Sequence, residues 1–204
     1  MTLYLPWILY KIYDINKRKF SLGGHHIMKL LMVVTDGFED IEAVGTYAIL
    51  KRAQLDLTFA AIDDDKAVGR YGLNVHNLVN LKDVNVDEYD MLIIPGGPEY
   101  VAEENNPEFL KMVMNFATHD KYIAAICAGP TILGHLGLLK GKRYTCYTSM
   151  NEDFGGEYVD QYSVVDGKLI TGRSAAAVID FAFDIVRVAS GAKNEKKVKD
   201  SIYY

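Results

Sequence analysis

The stretch Tyr122-Ile-Ala-Ala-Ile-Cys-Ala-Gly-Pro-Thr-Ile132 is where residue type and order could do chemistry. Its apolar run, residues 123–126, reads as a strand buried in a parallel sheet. The run stops at Cys127. Ala128 and Gly129 allow a sharp turn, and Pro130 suits the first turn of a helix, where its missing N–H costs nothing. Strand, one nucleophilic side chain, tight turn and helix make a nucleophile elbow with cysteine in the serine position. A thiolate placed there would meet free backbone N–H groups and the positive end of a helix, both of which acidify a thiol. The same residues also fit a plain buried cysteine that packs as a small hydrophobe.

A cysteine nucleophile usually works with a base, most often histidine. The five histidines are His25, His26, His76, His119 and His135, and none follows residue 135. His119 reads as a cation at a helix C-terminus, and His135 as a half-buried side chain two turns beyond the elbow. His76 falls on a hairpin. A better partner is Glu42, at the start of a helix that leaves the first strand; the alternative for it is a solvated first-turn glutamate. Pro95-Gly96-Gly97 ends another strand. Glycine lets an N–H approach a bound group, so the Gly97 and Ala128 amides could form an oxyanion hole with Gly96 beside them. The segment lacks any phosphate-loop pattern, and no histidine or cysteine cluster has metal spacing. We therefore expect neither metal nor cofactor.

The elements that must position these residues alternate. Residues 30–34, 55–62, 91–94, 123–126 and 143–147 read as strands. Gly69, Gly72 and the alternation over 73–79 suggest a hairpin excursion, and Asp166-Gly167 closes a second hairpin. Asp36 with Glu39 resembles a capping box opening a helix whose inward face would carry Ile41, Val44, Ala48 and Ile49. Asn106-Pro107 caps another helix, with Phe109, Leu110, Val113, Met114 and Ala117 on one face. Ser174 opens a long helix, with Val178, Phe181, Ala182 and Ile185 inward, which Gly191 stops. The lysine-rich residues 193–199 read as a solvated terminal helix. Strands alternating with helices predict a three-layer α/β/α domain with a mostly parallel sheet. Ligands bind at the carboxyl ends of such strands, which brings residues 36–42, 95–98, 127–130, 147–149 and 173–176 to one edge.

The chain has 204 residues, of which 50% are hydrophobic and 24% charged, enough for one domain with a single core. A net charge of −5 offers no basic field for nucleic acid or a membrane surface. Two cysteines, Cys127 and Cys146, make no disulfide framework, so a cytoplasmic protein is expected. Residues 1–27 read differently from the rest. Their apolar stretch is too short to span a membrane, and no basic residue or cleavage site gives it signal-peptide form. Leu22-Gly23-Gly24 can be written in codons that contain a ribosome-binding sequence just upstream of Met28. Residues 1–27 are therefore expected to be a mis-called start or a disordered extension, and 28–204 a single domain.

Taken together, Asp36-Gly-Phe-Glu-Asp-Ile-Glu42, Ile94-Pro-Gly-Gly97 and Ala124-Ala-Ile-Cys-Ala-Gly-Pro130 resemble the ThiJ/PfpI superfamily, in its DJ-1 branch. The resemblance runs from about Met28 to the last long helix. It implies a flavodoxin-like fold, similar to that of class I glutamine amidotransferases, and a homodimer. It also implies that Cys127 is the nucleophile and Glu42 the carboxyl bonded to it. Implied activities are cofactor-free glyoxalase or deglycase chemistry on small dicarbonyls and their adducts, or, in a different class, oxidation sensing through Cys127 or chaperone-like holding. The pattern departs in three places. Tyr147 stands where a histidine is common, Ala128 replaces the histidine of the peptidase-like branch, and Arg70 lies one position early, with Tyr71 before Gly72. Tyr147, Gly96, Arg70 and Arg173 are auxiliary candidates, and peptidase activity is not expected.

Overall fold

Continuous apolar runs such as Leu30–Val34 arise because the sheet is covered on both faces, so alternate side chains all find a core. The computed structural model describes residues 27–204. The expectation for residues 1–27 lies, Ile27 apart, outside them. The elements in chain order are β1 (Lys29–Val34), α1 (Asp40–Arg52), β2 (Asp56–Ala61), the hairpin β3 (Lys66–Val68) and β4 (Asn74–His76), β5 (Val79–Asn80) and β6 (Met91–Ile94). Then come α2 (Tyr100–Glu104), α3 (Pro107–Thr118), β7 (Tyr122–Ile126), α4 (Gly129–His135), β8 (Arg143–Tyr144) and β9 (Glu157–Tyr158). The chain closes with β10 (Ser163–Asp166), β11 (Leu169–Gly172), α5 (Val178–Ser190) and α6 (Ala192–Ser201).

Seven strands form the main sheet in the order β10-β11-β7-β6-β1-β2-β5. All its pairings are parallel except the β10–β11 hairpin. Leu30, Met32, Met91, Ile93, Ala124 and Ile126 face one core, shared with Ile49, Leu50, Phe181 and Ile185 of α1 and α5. Leu31, Val33, Leu92, Ile94, Ile123 and Ala125 face the other, with Phe109, Val113, Phe116, Ile132 and Leu133 of α3 and α4. The three-layer α/β/α expectation is met. Among the described residues no helix is long and apolar enough to cross a membrane.

Four local expectations are corrected. The helix cap is Glu39 and not Asp36: Glu39 accepts from the Glu42 N–H at 2.9 Å, while Asp36 is committed to the Val68 N–H at 2.9 Å on the hairpin. On α1, Ile41, Val44 and Ala48 point outward; the buried stripe is Glu42, Ala43, Thr46, Ile49 and Leu50. Gly45 sets that rotation, because a Cβ there would lie 2.8 Å from Val178 of α5, so the two helices approach closely along that line. Only Arg143–Tyr144 of the expected 143–147 strand pairs, and it does so with β9 outside the main sheet. Helix α6 is not simply solvated: Val198 is buried, and Glu195 is buried with Arg187 at 2.6 Å and Lys199 at 2.8 Å. Asn106 caps α3 as expected, accepting from the Glu108 and Phe109 N–H groups.

Helix α2 was not anticipated, and it carries an unusual load. Glu103 is fully buried, and among the described residues neither carboxyl oxygen has a hydrogen-bond partner. Burial, with the Glu104 charge adding to it, raises the Glu103 carboxyl well above its ordinary range. A folded-state pKa above the unfolded one gives stability that is complete below the unfolded value and lost as pH rises through the folded one. Glu103→Gln removes that loss. The thermal midpoint of the variant relative to the parent should rise by several degrees between about pH 5 and about pH 8. A difference independent of pH would contradict the assignment.

Candidate active site

Three loops meet at the carboxyl ends of β1, β6 and β7. The first, residues 35–39, is held by the hairpin: Gly37 N–H donates to Val68 O, Arg70 N–H to Phe38 O, and Tyr71 N–H to Asp40 Oδ2. It is held from the other side by Glu99, which is buried and accepts the Thr35 N–H at 2.7 Å. The second loop carries Gly96 and Gly97. Gly96 O accepts the Glu39 N–H at 2.7 Å, and a Cβ on Gly97 (φ +117°) would lie 2.5 Å from the Glu39 nitrogen. No side chain fits between these loops, which is what the double glycine provides.

The third is the elbow itself. Cys127 takes φ +62°, a left-handed conformation uncommon outside glycine. Its amide donates to Gly172 O at 2.9 Å, and its carbonyl accepts the Tyr147 N–H at 2.8 Å. The neighbouring strand and the 147–149 turn thus fix both of its backbone groups. Such a conformation persists only where the surroundings over-determine it, and here they do.

Glu42 enters this junction from α1 with no exposed surface. Its Oε2 accepts the Gly96 N–H at 2.9 Å, and its carboxyl interacts with the Cys127 thiol. A Cβ built on Gly96 would stand 2.6 Å from both the Cys127 Cβ and the Glu42 Oε2, and 2.9 Å from the Ala128 nitrogen. Gly96 is therefore the packing contact through which thiol and carboxyl reach each other. The Gly97 N–H donates to no group among the described residues.

Burial raises Glu42 to about 7; the thiol and the Gly96 N–H pull down, and the Glu39 charge adds to the rise. Burial also pushes the Cys127 thiol up, and a charged Glu42 pushes it further, against the Ala128 N–H. The expectation that the elbow alone acidifies the thiol is corrected: α4 has only seven residues, and burial opposes it. Two buried acids in contact cannot both ionise cheaply, so they titrate as one unit. Its first proton leaves near pH 7, and the second is held far above. In between, the pair keeps one proton, which burial and the charged Glu42 favour on sulfur.

The expected site residues divide into two groups. Cys127, Glu42, Gly96, Gly97 and Ala128 come together. Arg70 contributes a weak field at Glu42, with its guanidinium 5.0 Å over the Tyr71 ring. Tyr147 braces the elbow through its backbone, with its ring half exposed. Arg173 is turned to Asp160 at 2.6 Å and lies over Tyr162. His135 bridges Glu104 and Glu152, and His119 contacts Asn115 O. Reading the sequence placed Glu39 only as the second member of a capping box, and missed Glu99. The one signal for Glu99 was its place directly after Pro95-Gly-Gly-Pro98 in a loop already singled out.

Parallel sheet, two covered faces and a cysteine at the strand–helix turn define a flavodoxin-like protein with a cysteine elbow. The family model for the DJ-1/PfpI family matches residues 28–188, and the chain belongs to that family. It is 32% identical over 149 residues to the deglycase PfpI of Pyrococcus furiosus, covering 72% of this chain and 90% of that one. It is 34% identical over 153 residues to YraA of Bacillus subtilis, named as a candidate cysteine protease, covering 72% and 89%. Among solved structures, the DJ-1beta of Drosophila melanogaster superposes with a TM-score of 0.81 at 25% identity, over 86% of this chain and 97% of that one.

The shared proton sets an expectation for labelling. With limiting iodoacetamide, Cys127 should react before Cys146, because Cys127 is partly exposed and Cys146 is fully buried. The Cys127 rate should rise with a midpoint near pH 7, where the pair gives up its first proton. Preferential labelling of Cys146, or a rate still climbing beyond about pH 9, would show that the two groups do not titrate together.

Proposed function

We propose that this chain is a cysteine-dependent, cofactor-free enzyme acting on small dicarbonyls or their adducts, of glyoxalase or deglycase type. The observation that carries the reading is the fully buried Glu42 carboxyl packed with Cys127 against Gly96, where a Cβ would stand 2.6 Å from both. Relatives named deglycases support it at the level of the family.

In the one-proton state with the proton on Glu42, the Cys127 thiolate adds to the aldehyde carbon of methylglyoxal. The new alkoxide lies toward the Gly97 and Ala128 amides and takes the Glu42 proton, giving a hemithioacetal and a Glu42 carboxylate. That carboxylate removes the hydrogen from the same carbon as a proton and returns it to the neighbouring carbon, while the hydroxyl proton passes to the neighbouring oxygen, which leaves the thioester of lactate. Water cleaves the thioester to lactate and restores thiol and carboxyl. Atoms balance as one methylglyoxal and one water to one lactic acid. A carboxyl near pKa 7 suits both proton transfers at neutral pH.

Peptide hydrolysis asks for more, because the leaving amine must be protonated. Among the described residues no imidazole acts on Cys127 or Glu42, so the elbow has no such acid to offer. A second copy is the proposed partner, through Ile41 and Val44 of α1 and Tyr71 and Leu73 of the hairpin, all exposed beside the site. The reading includes a cytoplasmic setting.

Turnover of methylglyoxal tests this. Cys127→Ser should abolish it, and Glu42→Gln should lower kcat by about a hundredfold or more while Cys127 still alkylates. Fluorogenic peptides and unfolded protein should remain intact. Near-normal turnover in Glu42→Gln would overturn the shuttle role. Cys127-dependent peptide cleavage would overturn the assigned reaction class. Absence of all turnover would favour a redox sensor, in which Cys127 is oxidised and Glu42 steadies the product.

A further inference from the structure

Beside the elbow lies a cleft of about 330 Å³ lined by Tyr147, Thr148, Ser149, Arg173 and Ser174. That is the small end of the range for ligand cavities. Both walls are tied to Cys127. One begins at Tyr147, whose N–H donates to the Cys127 carbonyl; the other follows Gly172, whose carbonyl accepts the Cys127 N–H. The cleft is thus built on the nucleophile's own backbone, yet the mechanism for methylglyoxal, a three-carbon molecule, makes no use of it.

Four hydroxyls and one guanidinium lie among the lining residues. The hydroxyls of Tyr147, Ser149 and Ser174 make no hydrogen bond among the described residues, and Thr148 shares one with Tyr158 at 3.1 Å. Hydroxyls donate and accept, so they match a ligand that does both. Arg173 decides between a charged and a neutral ligand. Its Nη1 donates to Asp160 at 2.6 Å and its plane lies 4.6 Å from the Tyr162 ring centroid, so its charge is already balanced and its remaining N–H groups are fixed in place. An anion would have to compete with Asp160; a neutral polyol would not.

We propose that this cleft receives the polyhydroxylated tail of a sugar-derived 2-oxoaldehyde whose aldehyde carbon is presented to Cys127. The proposal rests on the dicarbonyl reading above and adds a substrate class to it.

The test uses 3-deoxyglucosone against methylglyoxal, in two arms. In the first, calorimetry on Cys127→Ser needs no turnover. 3-Deoxyglucosone should bind at least about tenfold more tightly than methylglyoxal, and adding Ser149→Ala with Ser174→Ala should remove most of that difference. In the second, kcat/KM for 3-deoxyglucosone should exceed that for methylglyoxal, and the paired serine substitutions should lower this ratio about tenfold. Such surface changes ordinarily leave the fold intact, and Ser149→Ala alone serves if the pair does not fold. Equal binding of the two compounds, or an unchanged ratio in the serine variants, overturns the cleft assignment. So does tighter binding of inorganic phosphate than of 3-deoxyglucosone. Tight, serine-dependent binding without any turnover would keep the cleft and count against the catalytic reading instead.

Discussion

A carboxyl group with no exposed surface, packed against Gly96 together with a cysteine at a left-handed turn, is the constraint on which the rest of the site depends. Burying two acids together is unfavourable unless at least one keeps its proton. The surrounding structure is arranged to hold them there. The Gly96 N–H satisfies one Glu42 oxygen, and Glu39 caps the helix that carries Glu42. The Glu99 bond to Thr35 and the hairpin bonds to residues 36–40 fix that helix's starting point. Gly96 and Gly97 then let the loops close to distances that no side chain would allow.

Much of this was legible in the sequence where backbone geometry restricts residue choice. Apolar runs gave the central strands, and small residues around Cys127 gave the elbow. Pro95-Gly-Gly97 marked a loop needing close approach. Glu42 was legible only as one of two alternatives, because an inward glutamate contradicts the pattern that normally marks an inward face. The same contradiction misphased α1: Ile41 and Val44 look like core and lie outside, while Glu42, Gly45 and Thr46 look polar or neutral and lie inside. Periodicity detects only apolar burial, so a helix that buries its catalytic candidate and approaches α5 through glycine defeats it. Glu99 and Glu103 escaped for the same reason, since an acidic segment ordinarily reads as solvated. The 143–147 segment, apolar enough for a strand, pairs only over Arg143–Tyr144, because the rest turns to brace Cys127.

The relatives carry names of different reaction classes, and peptide hydrolysis and dicarbonyl chemistry ask different things of an acid–base partner. In this chain a buried carboxyl flanks Cys127 across Gly96, Ala128 follows the cysteine, and Tyr147 donates its backbone N–H to the Cys127 carbonyl. A carboxyl that holds a proton near neutrality can both donate to an alkoxide and recover a proton from carbon. This suits an aldehyde better than an amide.

The most direct measurement of that shared proton is infrared difference spectroscopy of the parent protein against Glu42→Gln, across pH. The account predicts a protonated carboxylic-acid carbonyl band, absent from the variant, that is present at about pH 6 and titrates with a midpoint near or above 7. A Glu42 already ionised at about pH 5, leaving no such band in the difference, would contradict it.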